Sequence, residues 1–302
     1  MLNRRQFTTG IAAAGVGTAS RARAQDQRPL KIGVLTDMNS TYADQTGMGA
    51  VTAVKMACAD FGPVFGKPVE VVFGDSQLKA DTASTIARRW WDTEGVDAIA
   101  DIGGSAVALA VMQVSAEKKK IALAGSPGSS DITGKLCSPY TTQWSYDTYA
   151  VSKVLAQTIL QQGGDTWFFI AADYAFGAAL VADATPVIQA AGGKILGLVK
   201  APLNTSDFSS YLLQAQSSGA KVVALANGGI DTVNCIKQAS EFGLTKCSQR
   251  VAALVMLITD VRSIGLEMAQ GTLLTVPFYW DRNDECRAWS RRFFNRSYCE
   301  PC

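Results

Sequence analysis

The sequence predicts an α/β protein made of two βα lobes with parallel sheets. From Lys31 onward, short β-rich runs alternate with longer segments of helical periodicity, the rhythm of parallel strands covered by helices. A polar, aromatic stretch from Ser138 to Thr148 interrupts that rhythm once, after which it restarts. Breaks at Gly163-Gly164, Gly192-Gly193 and Pro202-Leu203-Asn204 punctuate the second half in the manner of turns.

In the first half, strands are expected over Lys31 to Asp37, Val69 to Asp75, Asp97 to Asp101 and Ile121 to Gly125. Helices over Gly47 to Phe61, Ala80 to Glu94 and Val107 to Lys118 join them. The second half gives strands Trp167 to Ala172, Lys194 to Val199, Lys221 to Ala226 and Val251 to Leu257. Its helices read Tyr149 to Gln162, Phe176 to Ala191, Ser206 to Ser218 and Ile230 to Phe242. A last run, Gly271 to Tyr279, reads as a strand leading into an amphipathic helix from Asp284 to Arg296. The segmentation is an export signal over 1–24, a first lobe over 28–146 plus 278–302, and a second lobe over 147–277, with crossings near Tyr146 and Phe278.

The export signal rests on Asn3-Arg4-Arg5-Gln6-Phe7, a mild apolar run from Gly10 to Ala19, and Ala22-Arg23-Ala24 as a cleavage signature. Together these resemble a twin-arginine leader, and the apolar run is too short to span a bilayer permanently. Its removal takes four arginines and no acids, so the formal charge changes from +2 to −2. That balance offers no attraction for nucleic acid or anionic lipid, and a periplasmic location follows from export.

Histidine is absent, which excludes Ser-His-Asp and Cys-His nucleophile activation and removes the commonest zinc ligand. Seven cysteines cannot all pair within one chain, and no bridge is assigned. Cys299-Glu300-Pro301-Cys302 has redox spacing without the strand-to-helix setting that motif needs. Gly47-Met48-Gly49 lacks a third glycine at dinucleotide spacing. The run from Gly128 to Lys135 has one residue too many for a phosphate loop, and Leu136 stands where that loop needs a hydroxyl. No enzyme, cofactor or metal is therefore expected. Asp37, Asp75, Asp101 and Asp173 read as turn caps at strand ends rather than as an acid/base or metal cluster.

Ligands in open α/β sheets lie beyond the carboxyl ends of the strands. There the chain carries Asn39-Ser40-Thr41-Tyr42, Gly103-Gly104-Ser105 and Ser126-Pro127-Gly128-Ser129-Ser130. Hydroxyls and free amides at helix N-termini suit a carboxylate, and the same serines with Asp131 equally suit caps of helices and turns. The second lobe adds Asp173-Tyr174-Ala175-Phe176-Gly177 and Asn227-Gly228-Gly229, whose aromatic rings suit an apolar ligand body or ordinary packing.

With these positions laid out, the chain resembles the ABC-transporter solute-binding proteins of the leucine/isoleucine/valine-binding type, with the type I periplasmic binding fold. The likeness runs from about Lys31 to Phe294. It rests on Asp101-Ile102-Gly103-Gly104-Ser105, Ser129 to Gly134, Thr166 to Gly177 and Asn204 to Gln216, in order and at family spacing. The resemblance implies a monomer whose two hinged lobes close on a small carboxylated solute and present it to a membrane permease. Carried over, Ser105 and Ser129 bind the carboxylate, helped by groups near Gly104, Ser126 and Gly128. Tyr42 and Phe176 line the cleft, and Tyr174 and Asn227 join from the second lobe. Where amino-acid binders place an acid for the ammonium, this chain has Leu254-Val255-Met256-Leu257-Ile258, so an aromatic or aliphatic acid is expected in preference to an amino acid. Asp260 lies a few residues beyond that run. Family members continue past the helix ending at Arg296, so the resemblance implies a first lobe that is incomplete, with apolar surface uncovered and a tendency to aggregate. The alternatives on the same fold are an exported enzyme and a ligand-sensing receptor.

Overall fold

A computed structural model describes residues 28–244, 249–270 and 272–299. The export signal, Cys247 and Cys302 lie outside the described residues. Two all-parallel sheets organise the chain. The first has the order β2-β1-β3-β4-β5, with β1 Lys31–Thr36, β2 Glu70–Asp75, β3 Ala98–Asp101, β4 Ile121–Ala124 and β5 Thr141–Gln143. The second has the order β7-β6-β8-β9, with β6 Thr166–Ala172, β7 Lys194–Ala201, β8 Val222–Ala226 and β9 Arg250–Ala253.

Helices α1 (Gly47–Phe61), α2 (Ala80–Asp92) and α3 (Ser105–Lys118) connect the first sheet. Helices α2 and α3 cover one face of it, where Ala83, Ala87, Trp90 and Trp91 meet Val107, Val111 and Met112 over Leu35 and Ile99. The Trp90 indole lies on β1 and β2 where Gly33 and Gly74 leave room; a Cβ at those positions would come within 2.5 and 3.1 Å of it. In the second lobe α4 (Thr148–Gln161) and α5 (Ala175–Ala190) pack on one sheet face, while α6 (Ser209–Ser217) and α7 (Ile230–Glu241) pack on the other. The central strand β6 serves both. Its Trp167 and Phe169 enter the first core and its Phe168 and Ile170 the second, which is why it reads as an unbroken apolar run. The C-terminal helix α9 (Asp284–Cys299) returns to the first lobe and lies on α1, with Phe293 near Gly49 and Arg292 paired with Asp60.

Several expectations need correction. The run to Tyr279 forms no strand over its described residues 272–279. Leu273 and Leu274 instead pack separately against the two second-lobe cores, so these apolar residues are buried without a ladder, and Pro277 has no N–H to offer one. The strand expected to reach Leu257 ends at Ala253, although the Leu254 N–H still donates to the Leu225 carbonyl at 3.0 Å. Beyond it lies an unforeseen helix α8, Ile258–Ile264, where the Asp260 carboxylate accepts from the Leu257 N–H at 2.7 Å. Strand β5 was hidden in the polar stretch before the crossing. Helix α6 starts at Ser209 because Phe208 is pulled into the core, where its N–H donates to Gln238 at 2.7 Å. Helix α9 runs on through Ser297 to Cys299, a continuation that an established helix readily makes. Asp37 does cap its turn, accepting from the Ser40 and Tyr42 amides at 3.1 and 2.9 Å. Asp75 accepts likewise from the Met38 and Gln77 amides at 3.2 and 2.8 Å. Among the described residues no helix is long and apolar enough to cross a membrane.

Candidate functional site

The carboxyl ends of the two sheets face each other, and a narrow cavity of about 30 Å³ lies between their loops. That is room for a water or two, so a larger ligand must part the lining side chains to enter. From the first lobe it is lined by Tyr42, Gln45 and Thr46 after β1, by Gly104 and Ser105 after β3, and by Ser126, Pro127 and Gly128 after β4. Tyr146 in the crossing segment and Tyr174, Phe176, Gly228 and Val255 from the second lobe complete the wall. Among the described residues no lining side chain carries a formal charge.

Ser105 opens α3, a helix with no side-chain cap. Its Oγ accepts from the Ser129 N–H at 3.2 Å, so its own O–H is left to donate elsewhere. Gly104 before it has φ +93°, and an added Cβ would lie 2.8 Å from Leu78 Cδ2, so glycine alone fits this entry to the helix. The uncapped first turn and the Ser105 hydroxyl thus leave hydrogen-bond donors unspent beside the cavity. Beside them the Ser126 hydroxyl is buried without a hydrogen-bond partner. Burial raises the pKa of the neighbouring Asp101; the Thr36 and Ser126 hydroxyls lie close enough to act against this, though neither makes a well-formed hydrogen bond.

Three aromatic rings meet across the lobes. Tyr42 lies 6.4 Å from both Tyr174 and Phe176, measured between ring centroids, and the Tyr42 and Tyr174 hydroxyls touch. Burial raises all of the tyrosine pKa values here, those of Tyr42, Tyr146 and Tyr174, so these phenols stay protonated at neutral pH.

Two predicted residues stand outside the cavity. Ser129 is fully buried and its Oγ accepts from the Asp131 N–H at 3.3 Å, so its hydroxyl caps a short turn. The expected convergence of two serine hydroxyls is therefore replaced by Ser129's amide bracing Ser105. Asn227 is also buried; its Oδ1 accepts from the Thr232 hydroxyl at 2.7 Å, and the adjacent Gly228 faces the cavity in its place. Sequence reasoning missed Gln45, Thr46, Pro127 and Tyr146 as lining residues. Gln45 and Thr46 lie one turn after Tyr42, with the Thr46 N–H donating to the Tyr42 carbonyl at 3.0 Å; a helical offset of three and four from Tyr42 was the available signal.

The lobes are drawn together over this cavity. The Thr41 hydroxyl donates to Asn204 Oδ1 at 2.8 Å, and the Ile230 N–H to the Thr41 carbonyl at 3.3 Å. Ser130 donates to Asp183 at 2.8 Å, and Gln45 Nε2 to both Asp260 oxygens at 3.0 Å. Burial raises the Asp260 pKa, as does the nearby charge of Asp44, while the Leu257 and Gln45 amides oppose that rise.

A family profile described as periplasmic binding protein matches residues 29–300. The chain is 27% identical over 255 residues to the Leu/Ile/Val-binding protein homolog 6 of Brucella melitensis, covering 82% of this chain. It spans 63% of that curated relative's length. It is 50% identical to a periplasmic binding protein of Burkholderia mallei of known structure, with a TM-score of 0.86 over 89% of this chain and 72% of the other. An ABC-transporter solute-binding protein from R. palustris, solved in complex with 4-hydroxybenzoate, shares the fold at 24% identity and a TM-score of 0.82, over 89% of this chain and 74% of that one.

Proposed function

The chain belongs to the periplasmic binding protein family, and from that premise we propose that it is the periplasmic solute-binding component of an ABC importer, selective for a small aromatic or aliphatic carboxylic acid over an amino acid. One observation carries the proposal: a cavity with no charged lining side chain among the described residues, in which an uncapped helix start and unspent serine hydroxyls meet aromatic rings. The acid group caps α3, taking hydrogen bonds from its first-turn amides and from the Ser105 and Ser126 hydroxyls. The apolar body lies among Tyr42, Tyr174 and Phe176. An ammonium would find no carboxylate among the described lining residues, only the neutral Gln45 amide in front of the buried Asp260, and a buried charge without an ionic partner costs several kcal/mol. Binding is non-covalent, and lobe closure makes the complex that the membrane permease recognises. The segments around Ser145 to Asp147 and Val276 to Tyr279, where the chain crosses between lobes, are the hinge.

Isothermal titration of the mature protein with benzoate, hexanoate and leucine tests this reading. The acids are expected to bind and leucine to bind at least tenfold more weakly; tighter binding of leucine overturns the selectivity. Ser105→Ala removes one hydrogen bond to a charged group, about 1.5–3 kcal/mol, and should weaken acid binding roughly tenfold to a hundredfold. Unchanged affinity would place the acid elsewhere.

A further inference from the structure

The cavity has a second polar feature, separate from the serines. Gln45 lines the wall, yet its Nε2 donates to both oxygens of Asp260 at 3.0 Å. Asp260 itself is 4% exposed, and its Oδ2 also accepts from the Leu257 N–H at 2.7 Å. A carboxylate accepts and does not donate, so it dictates which way the Gln45 amide points: the NH₂ group toward Asp260, the carbonyl Oε1 away from it. With its donor committed, Gln45 has only an acceptor left to offer a ligand. The neighbouring Thr46 hydroxyl cannot compensate, because it already donates toward the Tyr42 carbonyl at 3.1 Å. Tyr146 shares this wall, close enough to Asp260 for that charge to act on its phenol.

We propose that Gln45, oriented by Asp260, selects acids that carry a hydroxyl besides the acid group. A hydroxyl donates to Gln45 Oε1, whereas a bare ring edge or methyl leaves that acceptor unpaired. A second carboxylate is rejected, since it meets an acceptor backed by the Asp260 charge. The inference rests on the acid-binding reading above and deepens it. Sites built to bond a hydroxyl reject the analogue that lacks one, because their own polar group is then left unsatisfied.

The test compares matched pairs by isothermal titration: benzoate with 3- and 4-hydroxybenzoate, and hexanoate with 6-hydroxyhexanoate. The wild-type protein should favour a hydroxylated member of at least one pair by tenfold or more. Gln45→Met should abolish that preference; because it also removes the Gln45–Asp260 bond between the lobes, bare and hydroxylated acids should weaken together, and the readout is their ratio. Asp260→Asn should also reduce it, although Gln45 is intact, because an asparagine lets the Gln45 amide turn over; a purely structural Asp260 would lower the melting temperature and leave the preference alone. Should Asp260→Asn fail to fold, Gln45→Met carries the test by itself. Equal binding of bare and hydroxylated acids by the wild type, or a preference that survives Gln45→Met, overturns this inference while the acid-binding reading stands. Binding of none of these acids overturns both.

Discussion

Gly229→Ala should block closure while leaving each lobe folded. Gly229 lies in the loop between β8 and α7, with φ +60° and ψ −140°, and a Cβ there would stand 2.2 Å from the Thr41 carbonyl oxygen of the opposite lobe. Ordinary contacts of this kind begin near 3.4 Å, so the lobes must part by about 1 Å. The Ile230 N–H to Thr41 hydrogen bond, already 3.3 Å long, would not survive that retreat. The Thr41–Asn204 bond and the Tyr42–Tyr174 hydroxyl contact, borne by the same loop, would be stretched as well. At about 1 kcal/mol each, the three amount to roughly 3 kcal/mol lost from the closed form alone, or about a hundredfold in Kd. Backbone strain at a glycine-only conformation adds about 1–3 kcal/mol, but it is felt in open and closed forms alike and so appears in the melting temperature, not in Kd. Gly192→Ala separates the two effects: its φ of +79° is equally unfavourable to alanine, yet nothing lies within 4 Å of the new Cβ. Titration calorimetry with the bound acid, paired with small-angle scattering, should show weak binding and no ligand-induced compaction for Gly229→Ala. Gly192→Ala should melt lower and bind normally. If both variants bind with wild-type affinity and compact on binding, the reasoning from the Thr41 contact is wrong.

Trp90→Ala should destabilise the first lobe by about 3–5 kcal/mol in urea denaturation, because the buried indole fills the space that Gly33 and Gly74 leave open and no neighbour can collapse into it. Burial pushes the Asp231 carboxyl up to about 6, above its ordinary 3.8, so ionising it costs the fold nothing below pH 4 and its full penalty above pH 6. Wild-type stability should thus fall as pH rises through that window, and Asp231→Asn, which can still accept from the Asn204 N–H, should be the more stable protein at pH 7 by on the order of 2 kcal/mol and its equal at pH 4. A pH-independent difference in thermal melts would contradict this account.

The parts of the fold and site that could be read from the sequence are those where one physical demand dominates. Strands such as β6 and β8 are apolar on both faces because helices cover both, and no other structure suits such short runs between glycine breaks. Tyr42, Tyr174 and Phe176 were legible because parallel sheets leave only their carboxyl ends for a ligand. The failures share a cause, which is competition between a local and a distant partner. The adjacent Leu273 and Leu274 face opposite sides as strand residues do, and packing alone buries both. The run Leu254 to Leu257 is buried enough to pass for strand, and that reading concealed α8 and the Asp260 side chain it positions against Gln45.

The serines show the competition most clearly. Ser129 has the Asp131 amide two residues ahead in a tight turn, and a hydroxyl with an amide that close caps it. Ser105 follows a glycine at φ +93° as the first residue of α3, and its hydroxyl is used only as an acceptor, from Ser129. Its donor hydrogen has no local claim on it. Both residues look alike in the sequence, since each is a serine soon after a strand; what separates them is whether their own loop brings a backbone partner within reach. The hydroxyl that its loop leaves unsatisfied is the one available to a ligand, and that criterion selects Ser105 and Ser126 over Ser129.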